Sequence, residues 1–447
     1  MEICTIGGFE EVGKNMTAVK VGEDVIIFDA GIYLPPLIEL QEQEQQIKYT
    51  EKMLRRIKAI PDDLILDKLG WRDKVKAIVI GHAHLDHVGG LPYLAHRYPQ
   101  AEIFATGFTM QVLNSILEDE KIYLKNKKRV IKENEKLKLK GTSGDIDLEF
   151  IHTTHSTLQC VFVAWHTIEG TFFYALDFKF DKHPTIGEPP NYRRLKELGK
   201  KGVKCLVVDS LYSDTDRRTA SERIARNLLE DALSTIRDKN SALFITTFSS
   251  HIARLKSIVE FGKKTKRQII FMGRSLNKYV NAANKIKQCP FYNQIKLIKY
   301  RRHINAVLSK IDKDRGKYLI VCTGHQGEKG AILDRITQGE TPFKFSSGDN
   351  VIFSSSIIPA TPNINARAKL DKKLRKKGVR LQTDIHVSGH GGREDLRDLI
   401  EILKPKNIIP AHGSLEQEVP MVDLAKELGY KFQDNVYLSS NGKVVKV

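Results

Sequence analysis

Residues 81–90 read GHAHLDHVGG, with three histidines and one aspartate inside six positions and two glycines directly after. The flanks say where this cluster sits. VKAIVI (75–80) is a short run rich in β-branched residues and reads as a buried strand. GGLPYLAHRY (89–98) reads as a glycine-rich turn entering a helix. The cluster therefore lies at the C-terminal end of a strand, where α/β folds place their sites. Side chains alternate along extended backbone, so His82 and His84 project to one side. Asp86 and His87 lie where the chain turns and can reach the same cavity from another direction. Imidazole and carboxylate together suit zinc, manganese or iron. Four ligand-type residues are too many for one catalytic ion that keeps an open position, and they make sense when shared between two. A lone histidine near a strand end is usually packed or solvated, but the full set at a strand–loop–helix junction is a far stronger signal.

The rest of the chain repeats the pattern. VIIFDAG (25–31) ends in Asp29, DLEFIHTTHS (147–156) in His155, TFFYALDFKFD (171–181) contains Asp177 at a strand end, and NIIPAHGS (407–414) ends in His412. In each, an apolar strand runs into a ligand-type residue. Several such ends beside the first cluster would build a two-ion site on the rim of a sheet sandwich. His152 lies three positions from His155 on a presumed strand, so it should face the other side and be structural. His96, His166, His183, His303 and His325 lack partners at suggestive spacing.

A chain of 447 residues is too long for one ordinary core and suggests two or three folding units. No apolar run approaches the length of a membrane span. The N-terminus lacks a basic segment followed by an apolar one, so no secretion signal is expected. Five scattered cysteines without CxxC pairing point to a reducing cytoplasm. The formal net charge of +18 favours a polyanionic partner, nucleic acid above all. Basic clusters recur at KNKKR (125–129), KKTKR (263–267), YRRH (300–303) and KKLRKKGVR (372–380), although any one of them is ordinarily a solvated helix face.

HAHLDH, with Asp29, His155, Asp177 and His412 in this order, resembles the metallo-β-lactamase superfamily. That resemblance implies an αββα sandwich with metals at one edge. More than 200 residues separate Asp177 from His412, and the gap is similar to the β-CASP insertion, an α/β domain with a parallel sheet flanked by helices. Its landmarks match Asp209 in CLVVDS, His390 in HVSGHGG and His412 in PAHG. Cleavage-and-polyadenylation nucleases usually carry a different motif around the second landmark and extra RNA-binding domains. GGFEEVGKN (7–15), ITTFSSH (245–251), HVSGH (386–390) and DFKFD (177–181) instead resemble ribonuclease J, in its short archaeal-type form. Domain limits follow as expectations: residues 1–209 the first part of the core, 210–384 the insertion, and 385–447 the return to the core.

The resemblance also implies roles. His82, His84 and His155 would hold one divalent ion, and Asp86, His87 and His412 a second, with Asp177 between them and Asp29 behind. Zinc is the first candidate, with manganese or magnesium as alternatives. His390 would protonate the leaving 3′-oxygen or hold the scissile phosphate, and Asp209 would orient a histidine. Ser249, Ser250, His251, His386, Val387, Ser388, Gly389 and His390 would form a pocket for a 5′-monophosphate. For the serine pair alone, a helix N-cap before HIARLKSIVEF serves equally well. The glycine-rich loop TGHQGEKG (323–330) reads as a phosphate contact or an ordinary turn. The partner would be single-stranded RNA with a free 5′ end, and the assembly a homodimer. A 5′→3′ exoribonuclease is the favoured reading, with an endoribonuclease or a small-molecule metallohydrolase behind it. Residues 37–60 look longer than the family pattern there and read as a surface helix.

Overall fold

The computed structural model describes residues 1–43, 48–358 and 361–447. Among these residues the strands form three sheets. The first runs, in spatial order, Lys443–Lys446, Glu2–Gly7, Met16–Val21, Asp24–Phe28, Val75–Ile80, Glu102–Thr106 and Lys128–Ile131. Its four members from Asp24–Phe28 onward are mutually parallel. The second sheet runs Asn407–Ala411, Val203–Asp209, Gly170–Ala175, Val161–Thr167, Asp145–His152 and Lys136–Lys140. Phe28, Val79, Phe104, Phe150, Val163, Phe172 and Ile409 fill the space between the two sheets. Helices close both outer faces. Leu91, Phe108 and Leu113 pack on the first sheet, and Leu195, Leu399 and Met421 on the second. This is the αββα sandwich.

Strands Val203–Asp209 and Asn407–Ala411 are neighbours in space although about 200 residues apart, with Asp209 paired to Ala411. Between them in sequence lies the third sheet, all parallel: Lys296–Ile298, Gln268–Met272, Tyr318–Cys322, Leu243–Thr246, Asn350–Phe353 and Arg380–Gln382. Its four inner strands are continuous apolar runs, as a sheet covered on both faces requires.

The single surface helix expected over 37–60 is not what forms. Helix Pro35–Gln43 and helix Glu51–Arg56 are separate, and residues 44–47 lie outside the described residues. Thr50 starts the second helix, its side chain accepting the Met53 N–H. Nor is the segment all surface, since Leu37, Leu54, Ala59 and Ile60 join the main core. Among the described residues no helix is long and apolar enough to cross a membrane.

A buried ion pair ties the insertion to the sandwich. Arg254, fully buried in helix Ile252–Lys264, is bidentate to Glu222 at 2.5 and 2.8 Å. The same guanidinium donates to the Ser354 and Ile385 carbonyls at 2.8 and 3.2 Å. From the sandwich side, Asp181 accepts the Glu222 N–H at 2.8 Å, and Lys179 lies 3.6 Å from Asp181. Burial by itself would raise the Glu222 pKa, but Arg254 and then His251 outweigh it and hold the group down at about 2. Glu222→Gln strands the Arg254 charge in the interior. It should destabilise the protein by about 3–5 kcal/mol, read as a lowered midpoint in urea unfolding.

Candidate metal centre

The parallel strands explain why the ligand-type residues meet. In the first sheet Phe28 pairs with Val79, so Asp29 and His82 emerge at the same rim. In the second, Ala175 pairs with Val208 and Asp209 with Ala411, so Asp177, Asp209 and His412 emerge together. Asp29, Asp177 and His412 each turn the chain with a positive φ, at 58°, 37° and 58°. Non-glycine residues rarely adopt that backbone, and three at one rim is the strain expected of a functional site.

Asp177, 1% exposed, is the hub. Its Oδ2 faces His82 Nε2 at 3.3 Å, His155 Nε2 at 3.4 Å and His84 Nδ1 at 4.0 Å. Its Oδ1 faces His87 Nε2 at 3.0 Å and His412 Nε2 at 3.5 Å. Asp86 Oδ2 completes the second group, 3.6 Å from His87 and 3.9 Å from His412. The seven side chains thus sort into two metal-type clusters, His82–His84–His155–Asp177 and Asp86–His87–Asp177–His412. They fit divalent cations on the chemistry of the donors. His82 Nε2 and Asp177 Oδ1 are buried without a hydrogen-bond partner, a cost that a bound cation removes.

The far side of four of the five rings is anchored. His87 Nδ1 donates to Asp29 Oδ2 at 2.7 Å, and His155 Nδ1 to the Gly389 carbonyl at 2.7 Å. His412 Nδ1 donates to Asn15 Oδ1 at 3.0 Å. In all three the anchor leaves Nε2 pointing at Asp177, the arrangement by which outer partners fix a metal-binding tautomer. His84 is reversed, with Nε2 3.1 Å from Ser250 Oγ and Nδ1 inward. Asp29 is itself held by the Gly81 N–H at 2.9 Å and the Tyr174 hydroxyl at 3.0 Å. Close packing makes this possible, for a Cβ at Gly31 would lie 1.6 Å from the Asp86 carbonyl oxygen.

Burial lowers the His82 pKa to about 3 and the His155 pKa well below its usual value, so both rings are neutral, the ligand form. His87 differs. Burial pulls it down, but Asp177, Asp29 and Asp86 outweigh burial and raise it well above the usual value. A cation held at that position would displace the proton.

His390 and Asp209 form a pair beside the centre. His390 Nδ1 lies 2.7 Å from Asp209 Oδ2, and Nε2 points inward, 3.6 Å from Asp177 Oδ2. The ring stacks on His412 with centroids 5.4 Å apart and planes 8° from parallel. Burial lowers the His390 pKa, and Asp177 and Asp209 more than reverse that, raising it to about 9.

The residues expected to hold a terminal phosphate lie on one wall of the centre. Ser250 is buried and its hydroxyl engages His84. His251 is buried 3.5 Å from Glu222, with Nδ1 unpartnered. His386 Nδ1 lies 3.3 Å from the Arg254 guanidinium. Burial lowers the His251 pKa to about 3, with Arg254 adding to it, and burial and Arg254 together lower His386 to about 2. Ser388 Oγ accepts the His390 N–H at 3.0 Å. Gly389 touches Ser156 and His155, where a Cβ would sit 2.7 and 3.0 Å away. Ser249 and Val387 show no side-chain hydrogen bond among the described residues. Ser250 does not cap the following helix, whose first flanking residue is His251 without a side-chain cap bond.

His152 stays out of the clusters, pairing with Glu133 at 2.6 Å and the Glu188 carbonyl at 2.8 Å. The 323–330 loop is tied down as a turn. Gln326 bonds the Ser356 carbonyl and the Ile358 N–H, each at 2.9 Å, and Arg367 donates to the His325 carbonyl at 3.0 Å. Sequence reading missed Asn15, Tyr174 and the Arg254–Glu222 pair. Asn15 lies inside GGFEEVGKN and is fully buried between the Asp86 carbonyl and His412.

Comparison with known proteins agrees with this architecture. Residues 10–167 match the metallo-beta-lactamase superfamily, 240–369 the ribonuclease J beta-CASP domain, and 378–438 the Zn-dependent metallo-hydrolase RNA specificity domain. Ribonuclease J of Pyrococcus abyssi is 40% identical over 447 residues, covering 100% of this chain and 97% of that protein. Ribonuclease J of Methanocaldococcus jannaschii is 38% identical, covering 99% and 98%. Ribonuclease J 1 of Streptococcus pyogenes is 32% identical, covering 99% and 74%. A crystal structure of an Enterococcus faecalis protein of unknown function shares the fold at a TM-score of 0.64 and 17% identity, covering 99% of each chain. With full-length identity of this order and the sandwich, the insertion and both His/Asp clusters in place, the chain belongs to the ribonuclease J family of the metallo-β-lactamase superfamily.

Proposed function

We propose that this protein hydrolyses single-stranded RNA stepwise from a 5′-monophosphorylated end. Family membership and the two clusters make it a metal-dependent hydrolase of the nuclease type. The observation that carries the finer reading is the phosphate-type wall beside the centre. Ser250 touches His84, His251 and His386 lie on the same side, and the Arg254–Glu222 pair is buried against both rings. Two imidazoles, hydroxyls and a buried guanidinium gathered at one side of the centre suit a terminal phosphate dianion.

In this reading His82, His84, His155 and Asp177 hold one ion, and Asp86, His87, His412 and Asp177 the other. Two divalent ions held there would supply water activation near neutral pH and offset charge on the phosphoryl oxygens. The protein's own groups do the rest. Asn15, Asp29 and the Gly389 carbonyl hold three imidazoles in one tautomer. Asp209 orients His390 and keeps its proton, and His390 Nε2–H protonates the leaving 3′-oxygen. His251 and His386, both neutral, offer N–H groups to the terminal phosphate with Ser249, Ser388 and the backbone around Gly389, while Arg254 supplies positive potential from behind. A homodimer belongs to the same reading.

The test is RNA labelled at its 3′ end and carrying a 5′-monophosphate, 5′-triphosphate or 5′-hydroxyl, with and without chelator. Stepwise shortening is expected, fastest from the monophosphate and abolished by chelation. Discrete internal fragments independent of the 5′ group would establish an endonuclease instead.

A further inference from the structure

We propose that the edge of the sandwich made by strands Lys128–Ile131 and Lys136–Lys140 carries the downstream body of the RNA away from the metal centre. This inference rests on the ribonuclease reading above.

Residues 121–140, KIYLKNKKRVIKENEKLKLK, hold nine lysines and arginines against two glutamates, so a large part of the chain's basic excess falls in this one stretch. Topology places it. Strand Lys128–Ile131 is the outermost of the first sheet and runs parallel to Glu102–Thr106, which runs parallel to Val75–Ile80. Ile80 pairs with Ala105, and Thr106 with Ile131, so the strand ends at the same rim as His82. Two strand spacings, roughly 10 Å, separate them. Residues 132–135 therefore sit on the catalytic rim. Strand Lys136–Lys140, the outermost of the second sheet, leads back down the same side. Its five residues span roughly 16 Å.

The side chains suit a polyanion. Lys136, Lys138 and Lys140 are exposed and alternate with Leu137 and Leu139, so their ammonium groups share one face. Lys128, Arg129 and Val130 are exposed on the neighbouring strand. Lys121, Lys125, Lys132, Lys138 and Lys140 make no ion pair among the described residues. At the far end Tyr123 is 86% exposed, an open face on which a base can stack. The edge is continuous with the centre, because Glu133 and Asn134 line a groove of about 260 Å³ that also touches His155, Gln159 and His251. Acidic groups in that groove are largely engaged: Glu133 with His152, Asp181 with Lys179, and Glu222 with Arg254. Lysines on edge strands also deter strand pairing, but that role gives no reason for an exposed tyrosine or for continuity with the groove.

The test is the triple variant Lys132→Gln, Lys138→Gln, Lys140→Gln, with Tyr123→Ala separately. Steady-state hydrolysis is measured over a range of salt on 5′-monophosphorylated RNA of about four and about twenty-four nucleotides. For the long RNA, KM of the triple variant should rise about tenfold. The slope of log KM against log salt should flatten by about two, three cations each contributing about 0.7. Tyr123→Ala should raise long-RNA KM without changing the slope. Both variants should keep the parental kcat and short-RNA constants. The proposal is overturned if short and long RNA change together, or if long-RNA KM and salt slope match the parent. A parent protein that cleaves neither RNA overturns the ribonuclease reading, and this inference with it.

Discussion

Asp177→Asn should leave a folded protein that has lost its ability to hold two ions and hydrolyses RNA at least about 1,000-fold more slowly. The argument is geometric. Each carboxylate oxygen of Asp177 faces a different histidine group, and no other side chain belongs to both clusters. Asparagine keeps the shape but offers one carbonyl oxygen and an N–H donor where an anion stood. The shared negative charge is gone, and one cluster meets a group that cannot ligate. Metal analysis after dialysis against zinc should find fewer than two ions per chain, against two in the parent. Circular dichroism should be unchanged, since Asp177 sits on a turn and carries no part of a strand ladder. Two ions retained with full turnover would mean that the hub lies elsewhere.

His390→Ala should behave differently. The ring is a ligand of neither four-residue cluster, and its Nδ1 is committed to Asp209. Its removal should lower kcat by about 100- to 10,000-fold, the usual span for a positioned general acid. Both ions should remain, and RNA affinity should stay within a few-fold. Asp209→Asn, which keeps the ring but weakens its hold, should fall between the parent and His390→Ala. Loss of RNA affinity in step with kcat would assign His390 to phosphate binding alone.

The comparison between these two variants reflects what the sequence discloses. The ligands were legible because each follows an apolar strand, and parallel strands deliver their ends to one rim. The αββα sandwich came from the resemblance carried by HAHLDH and the later ligand-type residues, whereas the inner strands of the insertion were legible for a related reason: SALFITTF, RQIIFMG, YLIVCTG and NVIFSSS are short, continuous apolar runs that read as buried strands. The edge strands Lys296–Ile298 and Arg380–Gln382 carry no such signal, being three residues each and partly exposed. The 37–60 segment misled because apolar spacing alone marks no break, whereas Thr50 begins a helix of its own there. Asn15, Arg254 and Glu222 escaped because their partners are distant in sequence. Asn15 meets His412 across 397 positions, and Arg254 meets Ile385 across 131. A polar residue in a loop looks solvated until the chain that buries it is known.

The order in which the chain supplies its parts has a consequence for synthesis. His82, His84, His155 and Asp177 are all synthesised before the insertion, but Asp86 and His87 wait for His412, and His390 arrives only shortly before it. The strand that delivers His412 also inserts beside Val203–Asp209, and Lys443–Lys446 then seals the edge next to Glu2–Gly7. A nascent chain that has not reached His390 and His412 therefore holds the donors of one cluster and lacks a donor of the other. Under the proposed mechanism such a chain is expected to be inert toward the message being translated until the segment bearing His412 is free to fold back.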